Sequence, residues 1–255
     1  MTPVVRLAAL GSEVEVHCTG ESADFLSVRM REAWSRCVAR VDADSTHAVE
    51  VLEARLDDPS GLDQRLTHTT QEITRALIAS QAGRLLMLHA GAVSHPQTGA
   101  SVVYVAPGGT GKTTLSRRLG RTLGYLTDET VGIDDAGAIM PYPKPLSVRR
   151  PNGLGPKDEV SPDSLGLLSA PPRPHAARVV LLDRQPGSIR PEVDELAFMD
   201  ALFALTEQTS SLPRLGGPLH RLGNLIDSCG PVLRFRYAEA RDVAHQLAQL
   251  IGGAA

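Results

Sequence analysis

The order of apolar and polar positions divides the chain into short extended runs and a few longer helical ones. Val4 to Leu10 and Val14 to Cys18 read as two strands split by the turn pair Gly11-Ser12. Across Ser22 to Val41, the residues Phe25, Val28, Met30, Trp34, Cys37 and Val38 recur at roughly helical spacing. His47 to Leu56 suits a strand, and Asp57-Asp58-Pro59-Ser60-Gly61 a loop. Leu62 to Ala82 carries Leu66, Ile73, Leu77 and Ile78 at helical spacing, with Gly83 as its stop.

A second series begins at Leu85 to Val93, an apolar run broken by His89, which predicts a buried strand. After a turn over His95 to Gly99, Ala100 to Ala106 reads as strand, Pro107 to Gly111 as loop and Lys112 to Leu123 as helix. Tyr125 to Thr127 is a short strand ending on Asp128-Glu129. Val131 to Ile133 and Ala138 to Met140 flank the turn Asp134-Asp135-Ala136-Gly137, predicting an antiparallel hairpin. Strand and helix do not alternate plainly here, so the expected sheet is mixed.

Residues 141 to 175 hold nine of the eighteen prolines, and no regular structure is expected there. Val179 to Leu182 returns to strand, and Asp194 to Thr206 and Gly217 to Cys229 read as helices. Val232 to Tyr237 forms a closing strand and Ala238 to Ile251 a terminal helix. The expected architecture is α/β, with a small α+β extension over residues 1–82 packed on a nucleotide-binding domain over 83–255.

Composition narrows the classes. With 255 residues the chain can bury a full-sized core. The net charge of −3 argues against holding nucleic acid by bulk electrostatics. Cys18, Cys37 and Cys229 are odd in number and widely spaced, which suits a reducing compartment rather than a disulfide framework. The N-terminus has no basic region leading into an apolar core, so no secretory signal is expected. Apolar runs such as Leu85 to Leu88 fall far short of the roughly 20 residues that span a bilayer. A soluble, cytoplasmic protein without a membrane partner is expected; a homo-oligomer is left open.

The strongest chemical signal is Ala106-Pro107-Gly108-Gly109-Thr110-Gly111-Lys112-Thr113-Thr114. Phosphates are held by inward-turned backbone N–H groups, which calls for glycines at positive φ and a helix starting where the loop ends. Gly108, Gly109 and Gly111 meet the first need, and the helix beginning at Lys112 the second. In a phosphate loop of this pattern Thr110 and Thr114 lie along the cradle, Lys112 reaches the terminal phosphates and Thr113 ligates Mg2+. Ala106 stands where the motif has its first glycine. The bland alternative is a glycine-rich turn with a chance Gly-Lys-Thr, which the flanking strand and helix disfavour.

Phosphoryl transfer also needs an acid to orient metal and take the acceptor proton. Asp128 with Glu129 is the preferred pair, and Asp183 after Val179 to Leu182 is the second choice. Arg184 beside Asp183 suggests instead an ion pair at a strand end. His89, read from its strand alone, is a core histidine satisfied by a hydrogen bond. Lys144, Arg149 and Arg150 are cations that either close over a phosphate site or face solvent.

Leu88-His89-Ala90-Gly91-Ala92-Val93, then the loop Ala106 to Thr114, then Leu126-Thr127-Asp128-Glu129-Thr130-Val131, resembles the catalytic domain of the HPr kinase/phosphorylase family and its shorter relatives. The resemblance covers residues 83 to 150. It implies the mixed-sheet P-loop kinase fold shared with phosphoenolpyruvate carboxykinase, with ATP and Mg2+ as cofactors. It also implies active-site roles for His89 and Lys112, and Asp128 as general base. Glu129 takes the place of a second Asp; with Thr113 and Asp128 it completes the expected metal set. The implied reaction is transfer of the γ-phosphate to a serine-type hydroxyl of a peptide or protein, such as a ribosomally made peptide precursor. A regulatory nucleotide binder without catalysis is the alternative.

Overall fold

The computed structural model describes residues 2–39, 49–150, 155–187 and 190–252. The chain begins with β1 (Val4–Ala9), β2 (Ser12–Thr19), α1 (Ala23–Ala33), β3 (Glu50–Arg55) and α2 (Leu62–Gln81). It continues through β4 (Leu86–Ser94), β5 (Ala100–Val105), α3 (Lys112–Leu119), β6 (Gly124–Thr127), β7 (Thr130–Ile133) and β8 (Ile139–Met140). Two short strands follow, β9 (Leu146–Val148) and β10 (Asp158–Val160). The remainder is β11 (His175–Arg184), β12 (Glu192–Glu195), α4 (Phe198–Thr206), β13 (Thr209–Ser210), α5 (Pro218–Cys229), β14 (Leu233–Tyr237) and α6 (Ala240–Gln249). These elements form two compact units, residues 1–81 with 143–165, and residues 82–142 with 166–255.

In the first unit β1 and β2 form an antiparallel hairpin through Leu10 and Gly11, both at positive φ, and β3 joins β2 in parallel. Alternate residues of β2 are buried, as period-two patterning requires. The helix expected to Val41 stops at Ala33, because Cys37 and Ala39 turn back onto the edge of β1 through Ala8 N–H to Cys37 O and Ala39 N–H to Arg6 O. The ends of two expected elements, residues 40–41 of that helix and 47–48 of the strand after it, lie outside the described residues. The proline-rich segment is less irregular than its composition suggests, since β9 and β10 pair antiparallel within it.

The second unit is built on a nine-stranded mixed sheet. Its main path runs β12-β14-β11-β5-β4-β7-β8, with β6 and β13 also pairing to β4. The pairs β5 with β11 and β11 with β14 are parallel; those made by β4 are antiparallel. On one face Leu86, Leu88, Ala90, Val103 and Val105 pack with Ala201, Leu205, Leu222 and Ile226 of α4 and α5. On the other, Val93, Val102, Tyr104 and Ala106 pack with Leu115 and Leu119 of α3 and Val243 and Leu247 of α6. Helices thus cover both faces, as a sheet apolar on both sides demands.

Two expected helices are corrected. Lys112 to Leu123 ends at Leu119, and the Gly120 carbonyl accepts instead from Leu168 N–H at 2.7 Å. Asp194 and Glu195, expected at the head of a helix, belong to strand β12. Arg234 of β14 lies opposite Asp194 and Arg236 opposite Glu192, and Arg234–Asp194 at 2.7 Å and Arg236–Asp194 at 2.9 Å tie the strands together. Opposite charges directly across a strand pair favour the sheet where intrinsic preference does not.

One glycine sets the spacing on the site-bearing face. Gly91 lies opposite Tyr104, and a Cβ there would sit 2.2 Å from the Tyr104 ring. The bare backbone lets that fully buried ring lie across β4 and reach α3, where its hydroxyl meets Ser116 Oγ at 2.5 Å. Gly91→Ala is therefore expected to lower stability by about 1–3 kcal/mol, the usual cost of overpacking. Urea unfolding of the parent and variant measures it; an unchanged midpoint would mean the ring moves aside freely.

Candidate functional site

The three motifs meet on one strand. Along β4 the partner on one edge changes from β13, opposite Met87 and Leu88, to β5 from Ala90 onward, and on the other from β7, through His89, to β6 from Ala92 onward. Ala106 N–H, at the start of the glycine loop, donates to His89 O at 3.4 Å. On that same edge His89 N–H donates to Gln208 O at 2.7 Å, and on the opposite edge Ala90 N–H donates to Glu129 O at 3.1 Å. The loop and the acidic pair are thereby fastened to adjacent residues of β4.

The loop joins β5 to α3. Gly109 has φ +84° and Gly111 φ +102°, a region costly for any residue with a Cβ. Nothing approaches within 4 Å of where a Cβ would stand on Gly108 or Gly109. Gly111 is the N-cap of α3 and supplies no side chain, so the amides of the first turn keep their donors toward the loop. Thr110 Oγ1 donates to Pro107 O at 2.9 Å. Lys112 is buried and folds back, its Nζ donating to Ala106 O at 2.5 Å and to Pro107 O at 3.0 Å. Thr114 is exposed, one residue along the helix.

Asp128 is buried at the end of β6. Its Oδ2 accepts from Thr113 Oγ1 at 2.7 Å and its Oδ1 from the Tyr125 hydroxyl at 3.2 Å. The first residue past the loop lysine and the acid 15 positions later are therefore in direct contact. Glu129 is half-buried beside it. Among the described residues, no three of His, Cys, Asp or Glu gather to hold a metal by themselves.

Burial dominates the electrostatics. It lowers the Lys112 ammonium to about 8, with the nearby charges of Asp128 and Glu129 opposing the fall. Burial also lowers His89, and the Lys112 charge lowers it further, again against Asp128 and Glu129. His89 is accordingly a neutral imidazole at neutral pH, half-buried at the edge of the site.

The other sequence candidates are engaged differently. Asp183 stands across from Arg236, with 3.7 Å between their charged groups, and accepts from Gln185 Nε2 at 3.1 Å. The strand-end ion pair expected with Arg184 is made with Arg236, while Arg184 pairs with Glu239 at 2.9 Å. In the first unit Lys144 is buried and donates to Pro145 O at 2.9 Å, so it is no solvated loop cation. Arg150 is engaged by Asp63 and Asp158, and Arg149 is exposed.

Sequence reading missed the tyrosines. All four of the chain, Tyr104, Tyr125, Tyr142 and Tyr237, are fully buried. A buried hydroxyl must find a partner. Three of these find it at the site: Tyr104 on Ser116 of α3, Tyr125 on Asp128, and Tyr237 on Thr110 O at 2.8 Å. Their positions at or beside strand ends in an aromatic-poor chain were the available signal.

No family model matches this chain, and no curated protein matches it. Among solved structures it is similar to the Hpr(Ser) kinase/phosphatase from Coxiella burnetii, at 11% identity and a TM-score of 0.31. The match covers 64% of this chain and 93% of that chain. Likeness at that level does not place the chain in a family. No helix among the described residues is long and apolar enough to cross a membrane.

The depressed lysine has a measurable signature. Between pH 8 and the unfolded value of 10.5, the unfolded chain binds more protons at Lys112 than the folded one, so stability from this group rises with pH. The stability difference between parent and Lys112→Met should grow in the parent's favour by on the order of 2 kcal/mol across that window. Urea unfolding at pH 8 and 10.5 tests this, and a constant difference would place the ammonium in water.

Proposed function

We propose that the protein binds ATP with Mg2+ at the glycine loop and transfers the γ-phosphate to a serine-type hydroxyl of a peptide or protein. The observation that carries this reading is the contact of Thr113 with Asp128, made beside a lysine buried at the head of α3. A phosphate-binding helix start, a cation and a hydroxyl–carboxylate pair are the parts that phosphoryl transfer requires in one place. The choice of acceptor follows the motif resemblance.

The glycine loop presents amide donors to the β- and γ-phosphates, and α3 adds the positive end of its dipole. Lys112 exchanges two carbonyl oxygens for phosphate oxygens, which hold its ammonium charged against the effect of burial. Thr113 and Asp128 offer neighbouring hard oxygens suited to Mg2+, which is ordinarily held by one or two carboxylates together with substrate phosphates. Bound there, Mg2+ would neutralise charge on the phosphates. Glu129 extends the acidic side of the site.

In the transfer step the acceptor oxygen bonds to the γ-phosphorus as the bond to the bridging oxygen of ADP breaks. The acceptor proton passes to Asp128, which Tyr125 orients through its hydroxyl. Neutral His89 is a hydrogen-bonding group for the acceptor hydroxyl or a phosphate oxygen.

Binding and chemistry separate by mutation. Lys112→Ala should abolish tight ATP binding in calorimetry. Asp128→Asn should keep binding and lose transfer from labelled ATP to serine peptides by at least about 10²-fold, the lower range for a general base. Transfer at the parental rate would remove Asp128 as base. A parent that binds ATP but phosphorylates no hydroxyl is a nucleotide binder rather than a kinase.

A further inference from the structure

We infer that Tyr237 is a positioning residue for nucleotide phosphate, acting by holding the Thr110–Gly111 peptide with its N–H turned into the loop. The inference rests on the nucleotide reading of the loop and assigns the closing strand and helix a part in it.

The argument begins with peptide planarity. Thr110 C=O and Gly111 N–H belong to one trans peptide, so fixing the direction of the carbonyl fixes the N–H in the opposite direction. The Tyr237 hydroxyl donates to Thr110 O at 2.8 Å. Gly111, at φ +102°, has the conformational freedom to let that peptide rotate, and a Cβ placed there would meet nothing nearer than the same hydroxyl at 4.0 Å. Without a tether, the peptide between Thr110 and a left-handed glycine is free to turn over.

The tether itself is rigid. Tyr237 is fully buried among Ala106, Leu115 and Val243 in the core beneath α3 and α6. Its backbone carbonyl accepts from Gln185 N–H at 2.7 Å, and it pairs with Arg184 at the end of β11. Two residues later Glu239 begins α6 with a reciprocal capping box to Asp242. Burial raises the phenol to about 12, so its hydroxyl stays a donor at any working pH.

The same device recurs on two other carbonyls of the loop. Lys112 gathers Ala106 O and Pro107 O, and Thr110 Oγ1 also takes Pro107 O. Side chains collect carbonyl oxygens on the inner side, so the paired N–H groups of Gly108 and Gly111 face the other way. Lys112 must let go of its carbonyls to bind phosphate. Tyr237 need not, and it keeps the loop shaped while phosphate enters.

The test is Tyr237→Phe, which keeps the ring and removes the hydroxyl. In the nucleotide-free protein, the Gly111 amide resonance should shift and its hydrogen exchange should quicken, while amides of β4 stay as in the parent. Affinity for MgATP and MgADP should fall about three- to ten-fold, the worth of one hydrogen bond. KM for ATP should rise by a similar factor with kcat little changed. An unaltered Gly111 amide with unaltered affinity overturns the inference, as does a fall in melting temperature with the folded protein's affinity intact. If the Gly111 amide responds but the parent binds no nucleotide, the nucleotide reading fails and the phosphate role falls with it. The amide measurement thus separates loss of the tether from failure of the nucleotide reading.

Discussion

The second unit depends on the obligation of β4 to satisfy its backbone on both edges. Every buried N–H and C=O of that strand must find a partner. It does so with β5 and β13 on one side and with β6 and β7 on the other. Around His89 and Ala90 the strand partners change on both edges, and main-chain bonds there go to Ala106, Gln208 and Glu129. The sheet therefore changes neighbours on both edges of a single dipeptide. What emerges there, a glycine loop on one edge and an acid pair on the other, is placed by main-chain hydrogen bonds rather than by the charges it carries.

This explains how a buried lysine and a buried aspartate coexist. Desolvating a lone ammonium is costly, and the nearby carboxylates of Asp128 and Glu129 oppose the effect of burial on Lys112. Neutral donors complete the arrangement, with hydroxyls of Thr113 and Tyr125 on the aspartate. The face toward α3 and α6 carries packing and polar anchors together. Tyrosine suits that double duty, since its ring fills the core and its hydroxyl reports to the loop.

Sequence reading reached the local features and stopped at those made by distant partners. Gly109, Gly111 and the helix start at Lys112 are legible because left-handed glycine and helix initiation are written within a few residues. The turn at Gly11, placed one residue late at Gly11-Ser12, the strand through His89 and the hairpin of β7 and β8 are legible for the same reason. Asp194 and Glu195 are not, because acids are poor strand formers and the arginine that pairs with Asp194 arrives 40 residues later. The helix end at Gly120 depends on Leu168, and the role of Tyr237 depends on Thr110. The contact between Thr113 and Asp128 lay between, since proximity of the two motifs was expected but the direct bond requires knowing that both pin to β4.

The charged pairing of β12 and β14 carries a consequence for how the molecule behaves in a crowd. β12 is the last strand on its side of the sheet, where a row of unfilled backbone donors and acceptors invites another chain to add on. That strand is four residues long and reads Glu-Val-Asp-Glu, with Asp194 and Glu192 drawn toward arginines of the strand beneath. A second polypeptide docking there would have to match a short, acidic template already neutralised from within. The ion pairs that hold the margin in place thus also blunt it against fibrous growth.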